Sequence, residues 1–376
     1  MTPPVKLPNP DTLPGLLVLL TALSGEFPYN QLPRLPASTS YIELSVKRLK
    51  QDDLLHTYYR DRLRGLRLTA QAKRLLLTEH PDHFRPYLTG NAETNKLKSE
   101  YTRRLRLHLM AQVMVTMLNS HVSLFPWEKQ PIFRPDPLPN QPTFPQPVYY
   151  TSREVKDIGL QSNKFRGSRA TGVLLTPDNI YTIYNTGDGE MVWECRAEIR
   201  LKTFWTIELC QRRLSQQYFG VPLGAIVFAD NMDGMPRLMG VENRKTHSYF
   251  VMEGNFDHFH FLTSDHQGEV ILQLLCSPEK KADLDAILRE DLHAPKPDWM
   301  MENDGFDQNG TPVLFGYTCD MPRIKKFDIG LSLHELHGTL ICFDFQEEAL
   351  RSVCGPHITL QSIDFEAFER SVFNIS

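Results

Sequence analysis

The sequence predicts a mixed α/β chain, α+β overall, and three observations predict it. Residues 11–90 carry helical apolar spacings around one short basic hairpin pattern. Residues 150–376 alternate short apolar or β-branched runs with helical segments, the pattern of a layered α/β domain with a mixed sheet. Between them, eight of the 23 residues from Phe125 to Pro147 are proline, which lacks the N–H that helices and sheets need. The expected layout is therefore a helical domain over 11–90, a long basic-then-apolar helix within 91–122, a proline-rich linker over 123–149 and the α/β domain over 150–376.

Composition sets the outer limits. A chain of 376 residues with 41% hydrophobic and 23% charged residues has enough apolar surface for a core, and its net charge of −4 excludes a wholly basic coat for nucleic acid. No apolar run approaches the ~18 residues of a membrane span, and Met1-Thr-Pro-Pro-Val-Lys lacks a signal pattern. The expectation is a cytoplasmic protein without a membrane span. Six cysteines with no paired short spacing are expected to be reduced and mostly buried, without a zinc site.

In the first domain Leu16–Leu23 is a helix, and the proline-punctuated Ser24–Leu35 suits a small second helix and turn. Ser38–Ser40 offers a cap for a helix over 41–53, in which Ile42, Val46 and Leu49 point inward at helical spacing. Thr57–Tyr59, the basic tip Arg60–Gly65 and Leu66–Thr69 form a hairpin, and Thr69 caps the helix from Ala70 to Thr78. Between Tyr41 and Arg74 nine lysines and arginines face four acids, the local basicity that phosphate contacts require. This order resembles the winged helix-turn-helix family over about 70 residues. The resemblance implies that the 41–53 helix, with Tyr41, Lys47 and Arg48, enters a major groove of double-stranded DNA while Arg62, Arg64 and Arg67 of the hairpin touch its backbone. A three-helix domain with a solvated charged hairpin fits the same residues. Asn95–Asn119 reads as a further long helix, suited to a homodimer contact or to lying over DNA.

The α/β domain opens with an apolar run, Ala170–Leu175, a Pro177-Asp178-Asn179 turn and a strand Ile180–Asn185. After Gly187-Asp188-Gly189, a third run from Met191 places Glu198, Arg200 and Lys202 on one face if it stays extended. A helix follows over 203–217, then strands at 225–229, 248–252 and 257–262 and helices at 269–275 and 278–292. Beyond the loop 302–311 come strand 313–317, helix 321–337, strand 339–345, helix 346–354 and strand 357–363.

Metal-dependent phosphodiesterases use two carboxylates on a divalent ion and a nearby cation. If Gly187–Gly189 is a three-residue loop, Asp178 lies opposite Glu198, giving Pro177-Asp178 with Glu198-x-Arg200 and Lys202 beyond. That arrangement resembles the PD-(D/E)xK nuclease motif, with Arg200 where lysine belongs and Lys202 left to assist. If the chain turns helical near Cys195, Asp188 becomes the rival ligand and Glu198 and Lys202 become an i,i+4 pair. Asp257-His258-Phe259-His260 is a second candidate, two histidines facing the same way on a strand.

Ser168-Arg169-Ala-Thr-Gly172-Val, Tyr181-x-x-Tyr184-Asn185-Thr-Gly187, Trp193 and Glu198 together resemble the MobC-type relaxases of mobile elements, over 150–214. The resemblance implies a restriction-endonuclease-like domain that nicks one DNA strand at a transfer or replication origin with Mg²⁺ or Mn²⁺. On this reading Glu198 and one aspartate, either Asp178 or Asp188, hold the metal, Glu198, Lys202 and Asp178 are the catalytic candidates, Arg169 contacts DNA, and single-stranded DNA and other mobilisation proteins are partners. The alternative is a non-enzymatic DNA-binding regulator whose α/β domain senses a ligand or dimerises.

Overall fold

The computed structural model describes residues 5–134, 138, 140–155, 168–189, 194–239, 256–296 and 298–372. The described residues form a mixed α/β protein with three sheets, and the chain divides into two compact units. Unit 1 comprises 1–135 with 150–159, and unit 2 comprises 136–149 with 160–376. The first division falls after residue 135. The chain then returns to unit 1 for ten residues.

Unit 1 opens with α1 (Leu13–Ser24), started by the Thr12 side chain accepting the Gly15 N–H and stopped by Gly25 at φ +82. Glycine tolerates that left-handed turn without a Cβ penalty. Nearly every side chain of α1 is buried, so it is the central helix of the unit. Next come β1 (Phe27–Pro28), a 3₁₀ turn over Tyr29–Arg34 and α2 (Thr39–Gln51), which buries Ile42, Val46 and Leu49 and exposes its other faces. The strands β2 (Leu55–Arg60) and β3 (Leu63–Leu68) are joined by Asp61 and Arg62 at φ 52 and 62. Two consecutive left-handed residues make the two-residue turn whose twist matches a hairpin. The sheet order is β1-β3-β2, all antiparallel.

Helix α3 (Ala70–Glu79) is capped by Thr69 as the sequence predicts, and α4 (Pro81–Leu88) follows. The long helix α5 (Tyr101–Asn119) begins six residues later than its sequence pattern and packs against α1, β1 and β3. The returning segment is tied into unit 1 by Arg153 Nε donating to Pro86 O at 2.7 Å and by the Lys129–Glu154 ion pair.

The second sheet has the order β4-β5-β6-β7-β8: β4 (Val148–Thr151), in which a unit division falls, β5 (Gly172–Leu175), β6 (Ile180–Gly187), β7 (Leu223–Ala229) and β8 (His258–Thr263). α6 (Ser152–Val155) follows β4 directly. β5 and β6 are antiparallel, whereas β6, β7 and β8 run parallel. The β6–β7 crossover is α7 (Cys195–Phe204), which widens into a π-helical stretch over Trp205–Arg213, then α8 (Ser215–Tyr218). Trp205 Nε1 donates to Thr182 Oγ1 at 2.9 Å, fixing this helix on β6. After β7 comes α9 (Gly234–Met239); α10 (His266–Cys276) and α11 (Pro278–Arg289) follow β8. The expected strand at 248–252 lies outside the described residues.

A third sheet has the order β12-β11-β10-β9: β9 (Gly305–Phe306), β10 (Pro312–Phe315), β11 (Gly338–Phe343) and β12 (Ile358–Ile363). β10, β11 and β12 are parallel, connected by α12 (Met321–Leu333) and α13 (Glu347–Val353), and α14 (Phe365–Val372) closes the described chain. The alternation predicted for 313–363 is present within a few residues at each boundary. Cys210, Cys276, Cys319, Cys342 and Cys354 are all free thiols, the first four buried.

Candidate functional site

Among the described residues, three places gather candidate functional side chains. The first is the outer face of α2 with the β2–β3 hairpin. Tyr41, Glu43, Leu44, Lys47, Arg48 and Lys50 are exposed on α2, and Arg60, Arg62 and Arg64 are exposed on the hairpin. Among the described residues no carboxylate pairs with Lys47, Arg48, Arg62 or Arg64.

Arg67 is placed differently. It is buried, and its Nη2 lies 2.6 Å from Glu26 Oε2. Arg104 Nη2 meets the other oxygen at 2.5 Å and His108 Nε2 lies 2.9 Å from that same oxygen. Arg104 also donates to the Arg60 and Leu63 carbonyls at 2.6 and 3.0 Å, anchoring the hairpin next to its turn. Burial opposes a charged Glu26, but His108, Arg104 and Arg67 overcome it and hold the carboxyl at about 2. Arg67 is therefore an internal counter-ion, not a backbone contact. Gly65 makes room for the cluster, since a Cβ there would sit 2.5 Å from Glu26 Cγ.

The second place is Glu198. The extended course expected from Met191 onward fails where it can be seen: Cys195–Phe204 is helix α7, with Glu198 in its first turn. Residues 190–193, including Trp193, lie outside the described residues. The predicted Asp178–Glu198 pairing falls with the extended run, because β5 and β6 pair Leu175 with Ile180 and leave Asp178 in the turn. Asp178 accepts from Thr176 Oγ1 at 3.0 Å. Asp188, exposed, follows the far end of β6, and eight strand residues span roughly 23 Å at ~3.3 Å each.

Glu198 is fully buried. Tyr184 donates to its Oε2 at 2.6 Å, Ser168 Oγ to the same oxygen at 3.0 Å, and the Arg169 N–H to Oε1 at 3.2 Å. Burial pushes the carboxyl above its ordinary range, against the pull of these donors. Lys202, one turn on, pairs with Asp257 at 3.6 Å, and the exposed Arg200 reaches Glu194 at 4.0 Å. Among the described residues no group of three His, Cys, Asp or Glu is placed to hold a metal ion. The donors around Glu198 suit a carboxyl sharing protons with a phenol and a hydroxyl. They do not fit the two-carboxylate Mg²⁺ or Mn²⁺ centre expected from the sequence.

The third place is a polar cavity of about 370 Å³ in unit 2, lined by Asp178, Tyr181, His258, His260, Arg323 and a ring of ion pairs. His258 Nδ1 lies 2.7 Å from Asp320 Oδ2, and Asp320 Oδ1 accepts the Phe259 N–H at 3.1 Å. The Asp320 hydrogen bond raises His258 above its ordinary value despite partial burial. His260 Nδ1 lies 3.1 Å from the Thr318 carbonyl, and burial holds this ring below its ordinary value. Each Nδ1 thus carries the proton toward an acceptor, leaving Nε2 as the second ring nitrogen available to a ligand. Arg323 is fixed by Glu302 at 2.5 Å and Asp304 at 2.9 Å, and Lys281 by Asp285 at 2.8 Å.

The His258 and His260 pair was visible in the sequence as alternate strand positions. Asp320 was not, because 60 residues separate it from His260 and a bridge between them is a tertiary fact. Glu26 likewise carried no signal beyond being one acid between a helix and a proline.

No family model, no curated protein and no solved structure matches this chain.

Proposed function

We propose that this protein binds duplex DNA through unit 1, a winged helix-turn-helix module. Helix α2 enters the major groove with Tyr41, Lys47 and Arg48, and the β2–β3 hairpin lies along the phosphates with Arg62 and Arg64. The observation that carries the reading is the division of cations. Among the described residues Lys47, Arg48 and Lys50 on α2 and Arg62 and Arg64 on the hairpin lack carboxylate partners, whereas Arg67 and Arg104 inside are neutralised by Glu26. The order helix, strand, 3₁₀ turn, helix, hairpin with a β1-β3-β2 sheet supports the same reading. The test is fluorescence anisotropy with a labelled duplex at low salt. Lys47→Glu with Arg48→Glu is expected to weaken binding at least tenfold, and unchanged affinity would remove α2 from the interface.

A second reading adds strand nicking by unit 2 as a restriction-endonuclease-like relaxase acting with other mobilisation proteins. One observation favours it: Ser168, Arg169 and Tyr184 converge on the carboxyl of Glu198, and all four belong to the relaxase-like block. Supercoiled plasmid incubated with Mg²⁺ or Mn²⁺ decides. Nicking by the wild type that Glu198→Gln abolishes supports the relaxase, and an inert wild type leaves a DNA-binding regulator.

A further inference from the structure

A groove of about 560 Å³ runs between the 3₁₀ turn and α2 in unit 1. Its floor is apolar, made by Leu32 and Pro33 on one side and Ile42 and Val46 on the other. Its rim is cationic, with Lys47, Lys50 and Arg64 against the single acid Glu43. Among the described residues no carboxylate pairs with any of the three cations.

Two of these cations converge on one phenol. Lys50 Nζ donates to Tyr29 Oη at 2.9 Å, and the Arg64 guanidinium lies over the Tyr29 ring, Cζ 3.9 Å from its centroid. Tyr29 Oη also meets Thr57 Oγ1 at 3.0 Å, so the ring is held from both sides. Burial alone would raise the Tyr29 phenol, yet the Lys50 and Thr57 hydrogen bonds and the nearby charges leave it below its ordinary value. Lys50 and Arg64 thus make the potential at this phenol positive. Elsewhere the molecule treats cations differently: Arg67, Arg104, Lys281 and Arg323 each meet a carboxylate.

We propose that this groove binds a small amphipathic carboxylate, its hydrocarbon part on the Leu32–Val46 floor and its carboxylate between Lys50 and Arg64. The volume lies within the range of small-ligand sites, and an apolar lining with a few fixed polar groups is their usual make-up. Charged hydrogen bonds to Lys50 and Arg64 supply orientation. Lys47 belongs to both the groove rim and the exposed face of α2. Occupancy therefore competes with duplex binding, a consequence that rests on the DNA reading, while the site itself does not.

The test uses the full chain without DNA, titrated by calorimetry with octanoate, and with octanol and acetate in parallel. Octanoate is expected to saturate one site and to bind at least tenfold tighter than either of the other two. Lys50→Gln with Arg64→Gln, both exposed and checked for native circular dichroism, should lower octanoate affinity roughly tenfold or more. Equal binding of octanol, equal binding of acetate, no saturable octanoate binding, or octanoate binding untouched by the double variant would each overturn the proposal. A failure of octanoate with duplex binding intact would leave the DNA reading standing.

Discussion

Replacing Glu26 by Gln removes the one anion that Arg67 and Arg104 share inside unit 1. Both guanidiniums stay buried, and an uncompensated buried charge typically costs about 3–5 kcal/mol. An independent route gives a similar size. The carboxyl sits at about 2 against an ordinary 4.5, a shift equivalent to about 3 kcal/mol. Because the folded value is the lower one, this stability is fully present above about pH 4.5. It is lost as pH falls through about 2. Urea unfolding followed by hydrogen exchange in β3 and α5 reports the loss where the cluster sits. Wild type minus Glu26→Gln should reach its full difference at pH 6 and shrink steadily between pH 4.5 and 2. A difference under about 1 kcal/mol, or one independent of pH across that window, would refute the counter-ion account.

Gly65→Ala should destabilise the same region by about 1–3 kcal/mol, since its Cβ would press on Glu26 Cγ at 2.5 Å. Combined with Glu26→Gln its effect should be less than additive, which thermal melts of the four proteins check. Asp320→Asn should lower the His258 pKa measured by NMR titration, because the Asp320 hydrogen bond is the main cause of its elevation. The pair's contribution is present below about pH 6.5 and fades as pH rises through the raised His258 value. It also fades in acid as Asp320 protonates, below its ordinary 3.8.

The sequence legible by local chemistry became structure almost as written. Thr69 caps α3, Ile42, Val46 and Leu49 bury the inner face of α2, and the hairpin turns at Asp61-Arg62 inside the predicted basic tip. The late strand–helix alternation survives because β10, β11 and α12 each follow one period. Residues 195–202 were not legible, since Cys-Arg-Ala-Glu-Ile-Arg-Leu-Lys alternates enough to suit a strand yet buries Ala197, Glu198 and Leu201 at helical spacing. Arg67 was equally opaque. A basic hairpin strand shows its charges in sequence but not which of them turns inward to Glu26, 41 residues earlier. The groups around Glu198 were legible as a block, but their hydrogen-bonding to it needed the folded register of β6.

The claim that the outer cations of unit 1 hold DNA is tested most directly by the salt dependence of duplex affinity. Each phosphate contact releases about 0.9 counterion. Arg48→Gln with Arg62→Gln should therefore flatten the slope of log K against log salt concentration by about 1.8, with native stability unchanged. An identical slope in wild type and variant would contradict it.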